Sequence, residues 1–446
     1  MKGYLYLSAY ADIVRTVQMD AAPGYRQSGD MTDCGYSLAK ASREARADME
    51  EFLISTRQFL ATVGDKNCRV ESLDSSYREW TPGFKARRKG EHLYVTEASE
   101  ETEVRPGDEI YAIGGQRVSE LRRQYRQNIF GEWEDEREDW DLFLRMFETI
   151  EVFRGDGTVR RVKIRRYPLE RKPARLSCER WDDGLCYMKI ESFAEAEAVA
   201  RLVEEHEEEL AGSRALILDL RVCEAEGEAE SFLPLLPYLC SRSGKAGEII
   251  KARELYTTYT KNNGRRMLAK LQAYRNSLSP EEEKAEGASL DEWEADIREK
   301  CTRVHESRAQ ENKIHERKKY SEIPETEETG VEEVPVEAAD GPGRVVILTD
   351  VTCEYAGEWL VSCVKGFEKV KVIGRPTAGM LDYTRKISVD YEDIKVRFTY
   401  PMSRTREAKE GKGVAFRGVE PDIYVPFCRE ECTEDRILAR AREEIE

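Results

Sequence analysis

Apolar and polar positions change their rhythm along the chain. Over residues 37–63, "SLAKASREARADMEEFLISTRQFLATV", apolar residues recur at helical spacing with charges between them, and the run stops at Gly64-Asp65. From about Gly83 to Pro168 the rhythm becomes that of strands and turns. "EHLYVTEA" alternates, "VRPGDEIYAIGGQRVSEL" sets a strand between a Pro-Gly and a Gly-Gly turn, and "IEVFRGDGTVRRVKIRRY" reads as a hairpin turning at Gly155-Asp156-Gly157. Near Ser177 a third pattern begins: the strand "GLCYMKIESF", the amphipathic helix "AEAEAVARLVEEHEEELAG", and the continuously apolar strand "ALILDLRV". That order predicts a parallel βαβ unit. It resumes at "GRVVILTD", followed by a helix and "KVKVIG", so the α/β portion is split in sequence.

Residues 245–343 fill the split. Ser279-Pro280-Glu281, and Ser289 with Glu292, are helix-start signatures, and the helices they open are mostly charged. "SEIPETEETGVEEVPVEAADGPG" is acidic and poor in large apolar residues, which predicts a flexible linker. The expected organisation is an N-terminal helical domain (1–76), a β domain (77–172), an α/β domain (173–244 and 344–446) and a charged helical insertion with an acidic linker (245–343).

Composition narrows the function. A chain of 446 residues exceeds one ordinary core. Its net charge of −17 argues against nucleic acid or an anionic membrane as a general partner. No apolar run reaches the ~18 residues of a spanning helix. The start, "MKGYLYLSAYADIVR", makes a poor signal peptide, so a cytoplasmic location is expected. Eleven cysteines without a CxxC pair, beside four histidines, predict free thiols and no metal site or other cofactor.

The stretch "ILTDVTCEYAGEWLVSC" (Ile347 to Cys363) places a strand-to-helix turn where hydrolases present a nucleophile, because a helix N-terminus favours developing negative charge. The turn holds Cys353, Glu354 and Tyr355.

In this order, "VRPGDEIYAIGGQRV" resembles the C-terminal half of a PDZ domain. "LCYMKIESF…ALILDLR" and "VVILTDVTCEYAGEWLV…VIGRPTAGMLDYT…GVEPDIYVP" resemble the two halves of the catalytic domain of S41 peptidases, the C-terminal-processing and tricorn-like family. The resemblance covers about residues 60–427 outside the insertion. It implies an α/β multidomain protein: an N-terminal helical segment, a PDZ-like β domain and a ClpP/crotonase-like α/β domain carrying the charged insertion. Active members cleave peptide bonds with a serine nucleophile.

The catalytic positions depart from that pattern. The family serine lies three residues before a helix glutamate, as in C-G-S-A-G-E. Glu358 matches the glutamate, which puts Tyr355 at the serine position. A phenol, with an ordinary pKa of about 10, is a poor nucleophile and bulkier than serine. One branch of the family uses a lysine after G-x-x-T-x-G, where Met380 stands. The other uses a histidine in a motif like D-G-H-T, and there "GDKNCRVES" puts Asn67. The oxyanion donors of the family follow D-L-R in a glycine-rich segment. Here Asp219-Leu220-Arg221 lead into Val222, Cys223 and Glu224, with Ala225 and Glu226 beyond.

The resemblance, so modified, implies a catalytically inactive homologue that binds peptides or proteins or acts as a scaffold. The alternative is an active serine-type endopeptidase with an unrecognised catalytic arrangement; Ser362 and Ser403 lie downstream, but neither is expected at a strand-to-helix turn. A third reading is a regulatory partner of a paralogous peptidase, or a homo-oligomer. Asp219 and Arg221 read equally as strand-end structural groups, and Tyr355 as a plug in the old pocket. His92 reads as an exposed strand residue, and Asp382 with Tyr383 as shaping the cleft. For binding protein C-termini, the candidate carboxylate loop is Pro82-Gly83-Phe84, with Lys85, Arg87, Arg88 and Lys89 as its cations.

Overall fold

The computed structural model describes residues 2–23, 31–44, 47–125, 137–154, 157–170, 173–181, 183–223, 227–308 and 322–446. The chain packs as two compact units. One gathers Met1–Tyr77, Arg253–Glu327 and Asp382–Gly413; the other Arg78–Ala252, Glu328–Leu381 and Val414–Glu446. These units cut across the divisions expected from sequence.

The first unit opens with helices Lys2–Met19, Met31–Arg43 and Met49–Val63. Where the helical rhythm predicts one run from residue 37 to 63, the structure breaks it at Asp48. The Asp48 carboxylate accepts from the Glu51 amide at 2.9 Å, a cap that starts a new helix. That helix ends at Gly64, which takes the left-handed conformation (φ 74°) that a side chain would resist. Phe52, Phe59 and Val63 on its buried face pack with Val70, Phe398 and Tyr400 of a sheet. The sheet runs Arg69–Ser72, Val396–Thr405, Arg253–Thr258, Glu322–Glu327, with Tyr383–Tyr391 also paired to Val396–Thr405.

Of the expected insertion, Arg253–Glu327 is therefore part of this unit, and its flanks, 245–252 and 328–343, belong to the other. The insertion's helices are Lys261–Ser277 and Pro280–Arg308. The Ser279 capping box forms reciprocally: Ser279 N donates to Glu282 Oε2 at 2.8 Å, and Glu282 N to Ser279 Oγ at 3.3 Å. The linker expectation needs correcting. Glu322–Glu327 is a strand paired along its length with Arg253–Thr258. Its carboxylates are not solvated repellents but anchors, because cations face them. Glu325 accepts from Lys300 and Arg385, both at 2.5 Å, and from Tyr259 at 2.8 Å. Glu322 meets Arg404 at 2.7 Å, and Glu327 meets Arg253 at 2.6 Å. Ser321, the first residue of the expected linker, lies outside the described residues.

The second unit contains the predicted βαβ pattern. Its main sheet is ordered Leu176–Arg180, Leu185–Ile190, Ala215–Asp219, Arg344–Thr349, Val370–Gly374, Ile423–Tyr424; the first pair is antiparallel and the others parallel. Every residue of Ala215–Asp219 is buried, as a strand covered on both faces requires. A second sheet, all antiparallel, is ordered Phe84–Lys89, His92–Ala98, Glu109–Ile113, Thr149–Phe153, Val159–Lys163. Leu93, Val95, Ile110, Ile150, Val152 and Val162 line its buried face, against Trp140 and Phe143. The last two strands are the expected hairpin; of its turn, Gly155 and Asp156 lie outside the described residues.

Candidate functional site

The turn after Arg344–Thr349 leads into the helix Tyr355–Val364. Cys353 N donates to Asp350 O at 2.9 Å, which closes the turn. Tyr355, half-buried, then takes φ 45°, a left-handed conformation uncommon for a bulky residue. A strained strand-to-helix turn of this kind is what lifts a nucleophile above an α/β sheet. The backbone geometry of such a turn is present, and a phenol occupies it.

The segment after the neighbouring strand is bound to this turn. Val222, β-branched and exposed, sits at φ 64°. Its amide donates to Thr352 Oγ1 at 3.1 Å, and the Glu354 amide donates to Cys223 O at 2.9 Å. The Val222 N–H, the first amide after D-L-R, is thus spent inside the protein. Cys223 and Cys353 are fully buried, and burial pushes the Cys353 thiol well above its usual range, helped by Cys223, Glu358 and Glu354. Both sulfurs crowd Gly357: a Cβ there would lie 3.0 Å from the Cys223 sulfur and 3.3 Å from that of Cys353. Glu224, Ala225 and Glu226 lie outside the described residues.

Asp219 and Arg221 form a closed ionic group at the strand end. Arg221 grips Asp219 through Nε at 2.9 Å and Nη2 at 2.7 Å, and reaches Asp435 with Nη1 at 2.7 Å. The Tyr187 hydroxyl completes it, 2.6 Å from Asp219 Oδ2. At the ends of the next strands a second arginine does the same. Buried Arg375 joins Asp350 at 3.1 Å and also pairs with Glu431, while Arg87 meets Asp350 at 3.0 Å. Burial opposes the Asp350 charge, but Arg87 and Arg375 outweigh it and hold the carboxyl below its ordinary range.

Glu358 has a role that the sequence alone did not reveal. In the first turn of its helix and fully buried, it accepts from Gly379 N at 2.6 Å, Met380 N at 2.7 Å and the Thr377 hydroxyl. Burial raises its pKa against those bonds. It fixes the segment that carries buried Met380. The sequence singled out Glu358 only as the helix glutamate of the resemblance, an acidic residue on an otherwise apolar helix face, and gave no sign of these partners.

Asn67 belongs to the other unit. It is buried, and its Nδ2 donates to Asp65 Oδ1 at 3.0 Å and to Tyr383 O at 3.2 Å. Burial lifts the Asp65 pKa to about 7, opposed by the Asn67 bonds and aided by Asp382. Asp382 is so close to Gly413 that a Cβ there would lie 2.0 Å from Oδ2. Of the alternative serines, Ser403 is buried against Thr257 Oγ1 at 2.8 Å, and Ser362 donates to Trp359 O at 2.7 Å.

Three of the four cations of the candidate carboxylate loop are engaged elsewhere. Lys85 pairs with Glu97 at 3.3 Å, Arg87 with Asp350, and buried Arg88 with Glu138 at 2.5 Å. Gly83 is left-handed (φ 80°) and its amide donates to Thr81 Oγ1 at 3.2 Å. Phe84 is buried in the β-domain core, and His92 is exposed on its strand and 2.8 Å from Glu109. Among the described residues no group of His, Cys, Asp and Glu is arranged to hold a metal ion, and no helix is long and apolar enough to cross a membrane.

No curated protein matches this sequence. Among solved structures, mature CPAF complexed with lactacystin is similar with a TM-score of 0.59 at 14% identity, over 99% of this chain and 98% of that one. Another structure of mature CPAF gives 0.58 at 14% identity, over 99% and 96%. At such identity the likeness establishes a shared fold. The model of peptidase family S41 matches residues 247–425, a span that includes the helices and strands expected to be a mere insertion as well as the Tyr355 turn. Residues 247–425 thus match peptidase family S41, in a chain whose fold is shared with these structures.

Proposed function

We propose that this chain is an S41 homologue that does not hydrolyse peptide bonds and acts by binding peptide or protein segments. The observation that carries the reading is Tyr355 at the strained strand-to-helix turn, where acyl transfer needs a small nucleophile. Three further features support it. The Val222 amide is tied to Thr352, Met380 offers no basic nitrogen, and Asn67 carries an amide that cannot take a proton at neutral pH. Ser362 and Ser403 have hydrogen-bond partners that are not bases. Left-handed Val222 and Tyr355 cost of order 1–3 kcal/mol each. A merely decaying site would relax that strain, so its persistence favours a crest still used for binding.

The test is digestion of an unstructured protein such as casein, monitored by mass spectrometry. No time-dependent cleavage is expected, from the native chain or from Tyr355→Ser. Cleavage that survives repurification and is abolished by substituting one serine or cysteine of this chain would overturn the reading.

A further inference from the structure

Among the described residues, the Val159–Lys163 strand ends its sheet, pairing on one side only, with Thr149–Phe153. In antiparallel pairs, hydrogen-bonded and non-bonded residues alternate. Arg154 N donates to Thr158 O at 3.0 Å and Ile164 N to Glu148 O at 2.8 Å. The even-numbered residues therefore face the neighbouring strand, and Val159, Arg161 and Lys163 turn their N–H and C=O groups away from the sheet. All three are exposed. Arg160, Arg161 and Lys163 make no ion pair among the described residues; Arg161 reaches only Thr149 Oγ1, at 3.4 Å. Arg165 continues the line and meets exposed Glu103 at 3.4 Å. So a chain with a net charge of −17 concentrates unneutralised cations along one open strand edge.

We infer that this edge is a docking site for an acidic, extended segment of a partner protein, which adds to the sheet as a further strand. Outward N–H and C=O groups supply the pairing, and cations on both faces of the strand select carboxylates. Val159, which sits directly across from exposed Phe153, offers an apolar position at one end. Peptide is favoured over nucleic acid because the ladder of backbone groups has no counterpart in a phosphate chain, and because the overall charge repels polyanions. Edge cations also discourage self-association of strands, and that use alone would not require affinity for a peptide. The inference does not depend on whether the Tyr355 turn is catalytic.

The test is fluorescence anisotropy with a short fluorescein-labelled peptide of alternating Glu and Val. Saturable binding is expected, weakened roughly tenfold or more by N-methylation of alternate peptide amides and by the pair Arg161→Glu and Lys163→Glu. Arg161→Pro removes an outward N–H together with one edge cation, so it spares the existing ladder and the thermal midpoint yet should weaken binding further than Arg161→Ala, which removes the cation alone. No binding would overturn the inference. So would equal binding of the N-methylated peptide, native affinity after the paired substitution, equal binding by Arg161→Pro and Arg161→Ala, or preference for a single-stranded oligonucleotide of the same charge.

Discussion

The amide of Val222 donates to the side chain of Thr352 at 3.1 Å, tying the segment after one central strand to the turn after the next. In an acyl-transferring site that segment would hold its amides open toward the substrate. Here the bond turns one inward, and the residue that makes it is a β-branched valine at φ 64°.

Because valine resists that conformation and is exposed, Val222→Gly should stabilise the fold by about 1 kcal/mol, the strain removed less the entropy glycine adds. Urea unfolding decides this. A loss of stability would mean that the Val222 side chain contributes packing that outweighs its backbone strain.

Asp65 makes stability depend on pH. Its folded pKa of about 7 lies above the ordinary 3.8. Such a group contributes stability that is fully present below about pH 4 and lost as pH rises through about 7. Asp65→Asn keeps an oxygen for the Asn67 donors and removes the buried charge. It should therefore stabilise the chain at pH 8 by a few kcal/mol, at roughly 1.4 kcal/mol for each tenfold difference in proton affinity between folded and unfolded chain, and leave it nearly unchanged at pH 4. Equal effects at both pH values in thermal melts would contradict this.

The acidic strand gives the opposite sign. Glu325 is buried in part, and although burial opposes its charge, bonds from Lys300 and Tyr259 and the Arg385 charge hold its carboxyl below the usual range. Its contribution is present above about pH 4.5 and lost as pH falls. Glu325→Ala should cost about 2 kcal/mol: it removes charge-assisted bonds from Lys300, Arg385 and Tyr259, while Lys300 keeps Asp296 and Arg385 keeps Glu327 as partners. Limited proteolysis of the native chain should spare Glu322–Glu327 and cut there early in the variant. Early cutting in the native chain would restore the linker reading.

Legibility followed locality. The strands His92–Ala98, Ala215–Asp219 and Arg344–Thr349, the capping box at Ser279 and the turn before Tyr355 all follow from short-range pattern. The fate of Glu322–Glu327 did not, because its acidic residues are neutralised by Lys300, Arg385, Arg404 and Arg253, which are remote in sequence. Arg87 misled for the same reason: it reads as a cation of the candidate carboxylate loop, and its partner Asp350 lies far along the chain. The helix break at Asp48 was written as a capping residue but hidden inside a continuous apolar rhythm. At the site, Tyr355, Met380 and Asn67 could be singled out from short motifs, whereas the Val222–Thr352 bond and the Glu358 cradle are tertiary facts.

Burial should make the site thiols inert. Cys353 and Cys223 are fully enclosed, and the Cys353 thiol is held protonated. Under native conditions iodoacetamide should label half-buried Cys363 before either, with both reacting only after denaturant. Fast native labelling of Cys353 would reveal an accessible nucleophile at the turn.

The most direct test of a non-catalytic crest is intact-mass spectrometry after incubation with a fluorophosphonate probe, which forms a covalent adduct only with an activated hydroxyl. The account predicts unmodified protein, both for the native chain and for Tyr355→Ser, since the base positions still hold Met380 and Asn67. One stoichiometric adduct on the native chain, lost when a single serine is replaced by alanine, would contradict it.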